Sequence, residues 1–486
     1  MFLRRGNKVR LYKLTPQYDP ELRNSVGDDT ARYPSRTHSA LLLAASIALI
    51  LCIFLTALIP PQPRPQDEGN DYFAIAAGNY SDVHYFYAKR VLHPLTAGFI
   101  ARATGSSLPT AFHLLSILSL AVYLGAILIY ITSATNVVFA LTVTPLLLTP
   151  QLIAAFQDIY FPTLFFWALL AVFFLTLQFN FWSSLLPLAL LCFTRESAVV
   201  LVAAIVATAI AASRRNAGIA AGAVGLASLE LASMLISPAT SNVHHMSALM
   251  YYPLKALYDF SNNVLGLTFW TNTDAPFTSC APRNVVRVPA WIHFLGAVRQ
   301  IGFCGFDLRI PFKTILMTAS TFAVMPVLLG IGVARSRTRW RSWPFDVVVA
   351  LIYGGLAIAM APLVGVDPAR YLTEAFPAFW MVGLVVLHSL IGDRIGRAAQ
   401  FAVITVAAVW LPALLGGGNL GYDPLGAASL TRIMAALAIV LVLDALAYRL
   451  VILEPGPSFA RASLKDNHSK TSKPRSQWLS LTNRRK

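Results

Sequence analysis

Long stretches without a charge, separated by short polar connections, set the pattern of this chain. The first apolar run, 40–59, is twenty residues without a charged side chain. At about 1.5 Å of rise per residue it reaches across a hydrocarbon core of about 30 Å. Further runs follow at 109–131, 137–150, 161–178, 181–193, 198–212, 217–236, 312–333, 344–364, 372–390, 399–418 and 428–447, twelve in all. The pattern predicts an all-α polytopic membrane protein with about twelve transmembrane helices. The runs at 137–150 and 181–193 are short for a full crossing, so each is a candidate half-helix or re-entrant segment held inside the bundle.

Composition agrees with that class. The 486 residues are 56% hydrophobic and only 12% charged, with mean hydropathy +0.62, which excludes an ordinary soluble globule. The formal charge of +16 would suggest nucleic acid in a soluble protein. Here the basic residues lie in short connections and tails, where they act as topology signals and headgroup contacts, so no nucleic-acid partner is expected.

Those same residues orient the chain. Residues 1–38 carry eight Lys or Arg against four acids and read as a cytoplasmic tail, with 40–59 as a signal anchor. With the N-terminus inside, Arg214 and Arg215, the group Arg335, Arg337, Arg339 and Arg341, the pair Arg394 and Arg397, and the basic tail 448–486 all fall in the cytoplasm. The bundle then occupies 39–447, and both termini are cytoplasmic. The outward connections are 60–108, 151–160, 194–197, 237–311, 365–371 and 419–427, and they hold nearly all the uncommon polar chemistry.

The segment 66–99 concentrates it. Asp67, Glu68, Asp71 and Asp82 fall within sixteen residues, followed by His84, Lys89, Arg90 and His93. Asp71 opens the stretch DYFAIAAG, in which Tyr72, Ile75, Ala76 and Asn79 share one side of a short interfacial helix at three- and four-residue steps. A carboxylate at that helix start either does chemistry or simply caps the helix. Elsewhere on the same face stand Asp158, the adjacent Arg195 and Glu196, and Asp367 with Arg370. Each either reaches a shared cavity or is solvated between spans.

Acids and arginines gathered on one face of a membrane bundle suit transfer of a group from a lipid-borne phosphate to a hydroxyl, which needs a base for the acceptor proton and positive charge for the departing phosphate. Such transfer also needs room for an apolar chain. Asp71, Asp67 and Glu68 are the candidate catalytic carboxylates, acting directly or by holding a hard divalent cation such as Mg²⁺ or Mn²⁺. Arg90, Arg195 and Arg370 supply planar guanidinium groups for phosphate, with Glu196, Asp158 and Tyr72 as further substrate-binding candidates.

Other polar residues carry less. His84 and His93 fit packing at an interface better than ligation. Glu230 lies inside the run 217–236, about 9 Å from its outer end, where an ionisable group costs roughly 2.5–3.5 kcal/mol unless it is paired or wet. Either a role near the outer site or a bond to a neighbouring helix would retain it. Asp444 reads as structural. The insertion 237–311 is too small to bury a large core alone, and its His244–His245 pair lacks a third metal ligand nearby. Its two cysteines, Cys280 and Cys304, are a possible disulfide in an oxidising compartment, closing a loop of about 25 residues and stabilising it by about 3 kcal/mol. Cys52 and Cys192 fall in apolar runs and read as core residues.

Asp67-Glu68 with Asp71-Tyr72 and Ile75-Ala76, directly after the first span, resembles the acidic first outer loop of the C-type glycosyltransferase superfamily. The run Tyr87-Ala88-Lys89-Arg90-Val91-Leu92-His93-Pro94-Leu95 resembles the Arg-x-Leu-x-Pro-Leu segment that closes that loop in many bacterial members. Thr194-Arg195-Glu196 and Asp367-Pro368-Ala369-Arg370-Tyr371 are similar to family segments as well. The resemblance implies a sugar donor linked to polyprenyl phosphate, an acceptor that is a glycan, a lipid or a protein, and a place in the bacterial inner membrane. A lipid-linked sugar flippase or other transporter, or a polysaccharide polymerase or ligase, remains as an alternative. A transporter should show twofold internal symmetry and charges near the midplane. No clear repeat relates the two halves of this sequence.

Overall fold

The computed structural model describes residues 34–66, 68–81, 83, 87–236, 248–271, 282, 284–289, 299–335, 345–364, 371–416, 425 and 428–452. Helices dominate, as the apolar runs require. In chain order they are α1 (Pro34–Leu58), α2 (Gly69–Ala77), α3 (Leu92–Thr104), α4 (Leu108–Ala134), α5 (Val137–Val143) and α6 (Pro150–Gln157). Next come α7 (Thr163–Phe179), α8 (Phe181–Thr194), α9 (Ala198–Ala211), α10 (Arg215–Leu235) and α11 (Ala248–Asn263). The last six are α12 (Arg309–Phe322), α13 (Met325–Arg335), α14 (Phe345–Val364), α15 (Phe376–Ile391), α16 (Ile395–Leu415) and α17 (Leu430–Ile452).

Local signals set where these helices start and bend. Ser107 accepts from the Thr110 amide at the start of α4, where Pro109 occupies the first turn. Asn136 and Thr149 cap α5 and α6 in the same way. Between those two caps the chain runs through a 3-10 turn at Thr144–Leu147 and bends by 66°. A second bend, of 62°, separates α12 from α13 at Ala323, whose φ of 47° is rare for a residue with a side chain.

Each of the twelve apolar runs falls on a helix or on a bent pair of helices, but the count of twelve full crossings is not reached by length. Among the described residues seven helices are long and apolar enough to cross a bilayer, or nine if each bent pair is one span. The shortfall lies in α7, α8 and α9, of 17, 14 and 14 residues. A helix of fourteen residues rises about 21 Å, well under the hydrocarbon thickness. The short run 137–150 is also explained, since it forms the first limb of the bent α5–α6 pair.

The core is contiguous. The ring of Trp167 on α7 stacks on Phe376 of α15 at 5.2 Å, and the Trp380 indole donates to the Thr321 carbonyl at 3.2 Å beside the second bend. α15 is buried nearly all round, while α1 and α17 present one face to the core and leave leucines and isoleucines exposed on the other. That distribution suits a bundle surrounded by lipid.

Contacts between distant connections sort the bundle into two ends. At one end the Tyr130 hydroxyl donates to Asp346 at 2.8 Å, the Asn136 amide donates to Asp393 at 3.1 Å, and the Arg214 guanidinium lies over the Phe345 ring at 5.4 Å. At the other end the Gln62 amide donates to the Gln157 carbonyl at 2.9 Å, Arg90 meets Glu196, and Arg195 meets Glu374. Connections that the alternating runs put on one side therefore meet partners from the same side.

Two smaller bodies sit at that second end. α2 and α3 cross closely because Gly98 lies against the Ala76 carbonyl, where a β-carbon would collide with it. The insertion after α10 contributes α11 and a three-stranded antiparallel sheet, β1 (Leu267–Thr271), β2 (Asn284–Arg287) and β3 (Gln300–Phe306), in the order β1-β3-β2. Trp270 pairs with Gly302, and the register shifts between Thr268 and Phe269. The apolar pattern gave no sign of these strands.

Candidate active site

Arg90 follows the 3-10 turn Tyr87–Lys89 and points into the bundle end, 7% exposed. Its Nε and Nη2 donate to the two carboxylate oxygens of Glu196, at 2.8 and 2.6 Å. Its Nη1 donates to the Tyr72 hydroxyl at 3.0 Å. The Tyr87 ring lies 5.3 Å from the guanidinium carbon. A planar fork held on its edge and on one face by three partners is fixed in direction as well as in place.

Glu196 has a neighbour that turns the other way. Arg195 ends α8 in an extended conformation, so consecutive side chains leave on opposite sides of the chain. The Arg195 side chain, 2% exposed, meets Glu374 with Nη2 to Oε1 at 2.9 Å. That contact is an ion pair without hydrogen-bond alignment, and Oε1 has no hydrogen-bond partner among the described residues. The Arg195 guanidinium carbon lies 5.9 Å from the Tyr371 ring centre, and its Nη1 is buried with no hydrogen-bond partner among the described residues. The Tyr353 hydroxyl on α14 donates to the Glu374 backbone carbonyl at 3.3 Å and holds that turn down. Charges thus alternate along Arg90, Glu196, Arg195 and Glu374, drawn from three stretches of the sequence far apart.

Glu68 joins from the start of α2, where it accepts a hydrogen bond from the Tyr87 hydroxyl. Its charge is felt at Tyr72, Tyr87 and Tyr371. Burial pushes the pKa of all three phenols up, with the nearby arginines opposing it, so they stay protonated. For Glu196, burial acts to raise the pKa, but the Arg90 guanidinium outweighs it and brings the carboxyl down to about 2. Arg90 itself loses some basicity to burial and regains more from Glu196, ending well above its ordinary value.

Five of the residues singled out from the sequence, Glu68, Tyr72, Arg90, Arg195 and Glu196, are therefore brought together. Asp71 sits half-buried in the first turn of α2, whose buried face is Gly69, Tyr72, Ile75 and Ala76. Asn79, expected on that face, lies beyond the C-cap Gly78 and is exposed. Asp158 ends α6 and lines a cavity of about 440 Å³ with Pro60, Pro61, Gln62, Pro63, Ala154 and Gln157, none of them in the charge network. His93 is buried between the rings of Phe112 and Phe165, at 5.4 and 5.6 Å, and burial lowers its pKa to about 3. It is a neutral packing residue. Glu230 is exposed on α10, opposite the small residues that pack into the bundle.

Asp67, His84, His244, His245, Asp367 and Arg370 lie outside the described residues. So does Cys280, while Cys304 is disulfide-bonded and Cys52 and Cys192 are free and buried. Among the described residues no group of three His, Cys, Asp or Glu side chains is placed to hold a metal ion. Sequence reasoning missed Glu374, Tyr87 and Tyr353. Glu374 had a usable signal, a lone carboxylate inside the run 372–390, which is the criterion that drew attention to Glu230.

Fold and site together define a many-helix membrane protein with a buried, tyrosine-lined network of ion pairs at one end of the bundle. Two crystal structures of ArnT from Cupriavidus metallidurans are similar to it over most of the chain. The one bound to undecaprenyl phosphate has 11% sequence identity and a TM-score of 0.41, covering 89% of this chain and 81% of ArnT. The apo structure has 12% identity and the same TM-score, covering 85% and 76%. No family model matches the sequence, and no curated protein does.

Proposed function

We propose that this chain is a membrane glycosyltransferase that moves a sugar from a polyprenyl-phosphate carrier to an acceptor hydroxyl at the periplasmic face of the bacterial inner membrane. The observation that carries this reading is the burial of two guanidinium groups, Arg90 and Arg195, at the same bundle end as the carboxylate of Glu68. Burying two arginines beside acids at a membrane boundary is costly, and binding of an anionic headgroup is a task that would retain them.

The roles follow from the chemistry. Glu68 or Asp71 takes the proton of the acceptor hydroxyl, whose oxygen forms the new bond to the anomeric carbon. The bond from that carbon to the carrier phosphate breaks, and the electron pair leaves with the phosphate. Arg90 and Arg195 face the charge that grows on the phosphate oxygens, where a preorganised donor does most. Tyr72, Tyr87 and Tyr371 keep water sparse around both.

Glu68, Glu196 and Glu374 set three negative charges against the two arginines, so a divalent cation carried by Glu68 and Asp71 would relieve the excess when a phosphate enters. Loss of transfer in EDTA, restored by Mg²⁺ or Mn²⁺, tests that role. The main test compares surface glycans and accumulated lipid-linked sugars in cells carrying the wild-type chain, Glu68→Gln, Asp71→Ala or Arg195→Ala. Transfer should fall at least a hundredfold in Arg195→Ala and in one of the two carboxylate variants, with lipid-linked sugar accumulating. Unchanged profiles in all three would overturn the proposal.

A further inference from the structure

The two ion pairs at the site have the same composition and opposite character. Glu374 is 5% exposed, and Tyr353 pins its backbone. Glu196 stands on the short turn between α8 and α9, its side chain 43% exposed against 9% for the Arg90 side chain it grips. The Glu196 side chain therefore borders solvent along part of its length, while Arg90 lies behind it. Arg90 does not depend on Glu196 for its place, because the Tyr72 hydroxyl holds Nη1 and the Tyr87 ring covers a face. Withdrawing Glu196 would leave a preoriented fork open towards the side from which Glu196 came.

A carboxylate with two oxygens on Nε and Nη2 occupies the same donors, at the same distances, as two oxygens of a phosphate. We propose that Glu196 is an internal stand-in for the carrier phosphate, displaced from Arg90 by the phosphomonoester that forms as the sugar departs, and that this exchange sets selectivity for phosphomonoesters. The inference rests on the glycosyltransferase reading above and adds a specificity-determining residue to it.

Exchange of anions on one guanidinium is governed by the difference between them. A phosphodiester, as in bulk phospholipid or in the sugar-linked donor, carries one negative charge and gains little over a carboxylate. A phosphomonoester carries up to two, and displaces it with a net gain. The leaving phosphate passes from the first state to the second as the sugar departs, so the Arg90 contact is made more fully in the transition state than in the ground state. A membrane rich in phosphatidylglycerol would otherwise fill the fork. No bond is made or broken in the exchange, and Glu196 stays ionised throughout.

The test is direct binding to the full chain in phosphatidylcholine nanodiscs. Undecaprenyl phosphate serves as the monoester and phosphatidylglycerol as the competing diester. Wild-type protein should bind the monoester and resist the diester. Glu196→Gln, which keeps the shape and loses the charge, should bind undecaprenyl phosphate about tenfold more tightly and become sensitive to phosphatidylglycerol. Glu196→Asp, one methylene shorter, should fall between the two, and it carries the test if the Gln variant does not fold. Equal or weaker binding in Glu196→Gln, with diester resistance intact, would overturn the stand-in. Arg90→Ala separates that failure from failure of the underlying reading. If wild type and Arg90→Ala bind undecaprenyl phosphate equally, the anion site itself is wrong and the inference falls with it.

Discussion

Arg195 and Glu374 face each other at 2.9 Å with almost no water on either, and a pair of that kind reacts very differently to losing one member or both. Replacing Arg195 by Met strands a buried carboxylate and should cost about 3–5 kcal/mol of stability. Removing Glu374 as well, in the double Met variant, should recover most of that loss, because apolar side chains of similar volume replace buried pairs at little net cost. Thermal unfolding of the two single variants and the double variant in detergent measures the coupling. Near-additive losses would show that the pair is not an isolated energetic unit.

Two further residues divide the acid side of the stability profile. Burial holds His93 neutral down to about 3, against an ordinary value of 6.5, so only the unfolded chain takes up its proton between those values. Stability from His93 is therefore present above 6.5 and is lost as the pH falls towards 3. Glu196 is depressed from 4.5 to about 2, so its contribution is present above 4.5 and fades as the pH falls through 2, reduced by solvent screening at its exposed side. Between pH 7 and 5 the melting temperature should thus drop in the wild type and in Glu196→Gln alike, and drop less in His93→Phe. Below pH 4.5 Glu196→Gln should become the flatter curve. Of these residues the sequence exposed Arg195, Glu196 and His93 as candidates, because polar groups stand out between apolar runs. It did not say who pairs with whom, and Glu374 passed unnoticed inside a run whose average is strongly apolar.

At the scale of elements, the site depends on how closely α2 approaches α3. Gly98 has no room for a side chain against the Ala76 carbonyl, so Gly98→Ala must push the two helices apart. The expected result is a loss of about 1–3 kcal/mol and a fall in transfer larger than the loss of folded protein accounts for, since α2 carries Glu68, Asp71 and Tyr72. Folded yield and turnover measured on the same preparation separate the two effects. That α2 would form, and which residues it would bury, was legible from the spacing of Tyr72, Ile75 and Ala76. The bends at 144–149 and at Ala323 were less so, and the strands of the insertion were not, since a short sheet with exposed and half-buried positions leaves no strong period in the sequence.

For the whole molecule the central matter is which end faces the cytoplasm. The structure shows that the polar connections separate into two ends, and the distribution of Lys and Arg assigns the end bearing Asp393 to the inside. Cysteines introduced at Ser81 and at Asp393, exposed positions at opposite ends, turn that assignment into a measurement. A membrane-impermeant maleimide should label Ser81→Cys on intact spheroplasts and reach Asp393→Cys only after permeabilisation. The reverse pattern would move the site to the cytoplasmic side and remove the periplasmic reaction with it.

The sequence by itself determined the class of protein and the place of the long apolar helices, but not α6, which forms within the expected outward connection 151–160. Hydrophobicity is a property each residue carries alone, and it adds up along the chain without reference to the fold. Only the tertiary structure decided that Arg90 takes Glu196 from 106 residues away, that Arg195 takes Glu374, and that the helices α7, α8 and α9 stop at 17, 14 and 14 residues. An ion pair exists only between two groups within a few ångströms of each other. Which groups those are depends on how every intervening helix packs, and no single stretch of sequence contains that.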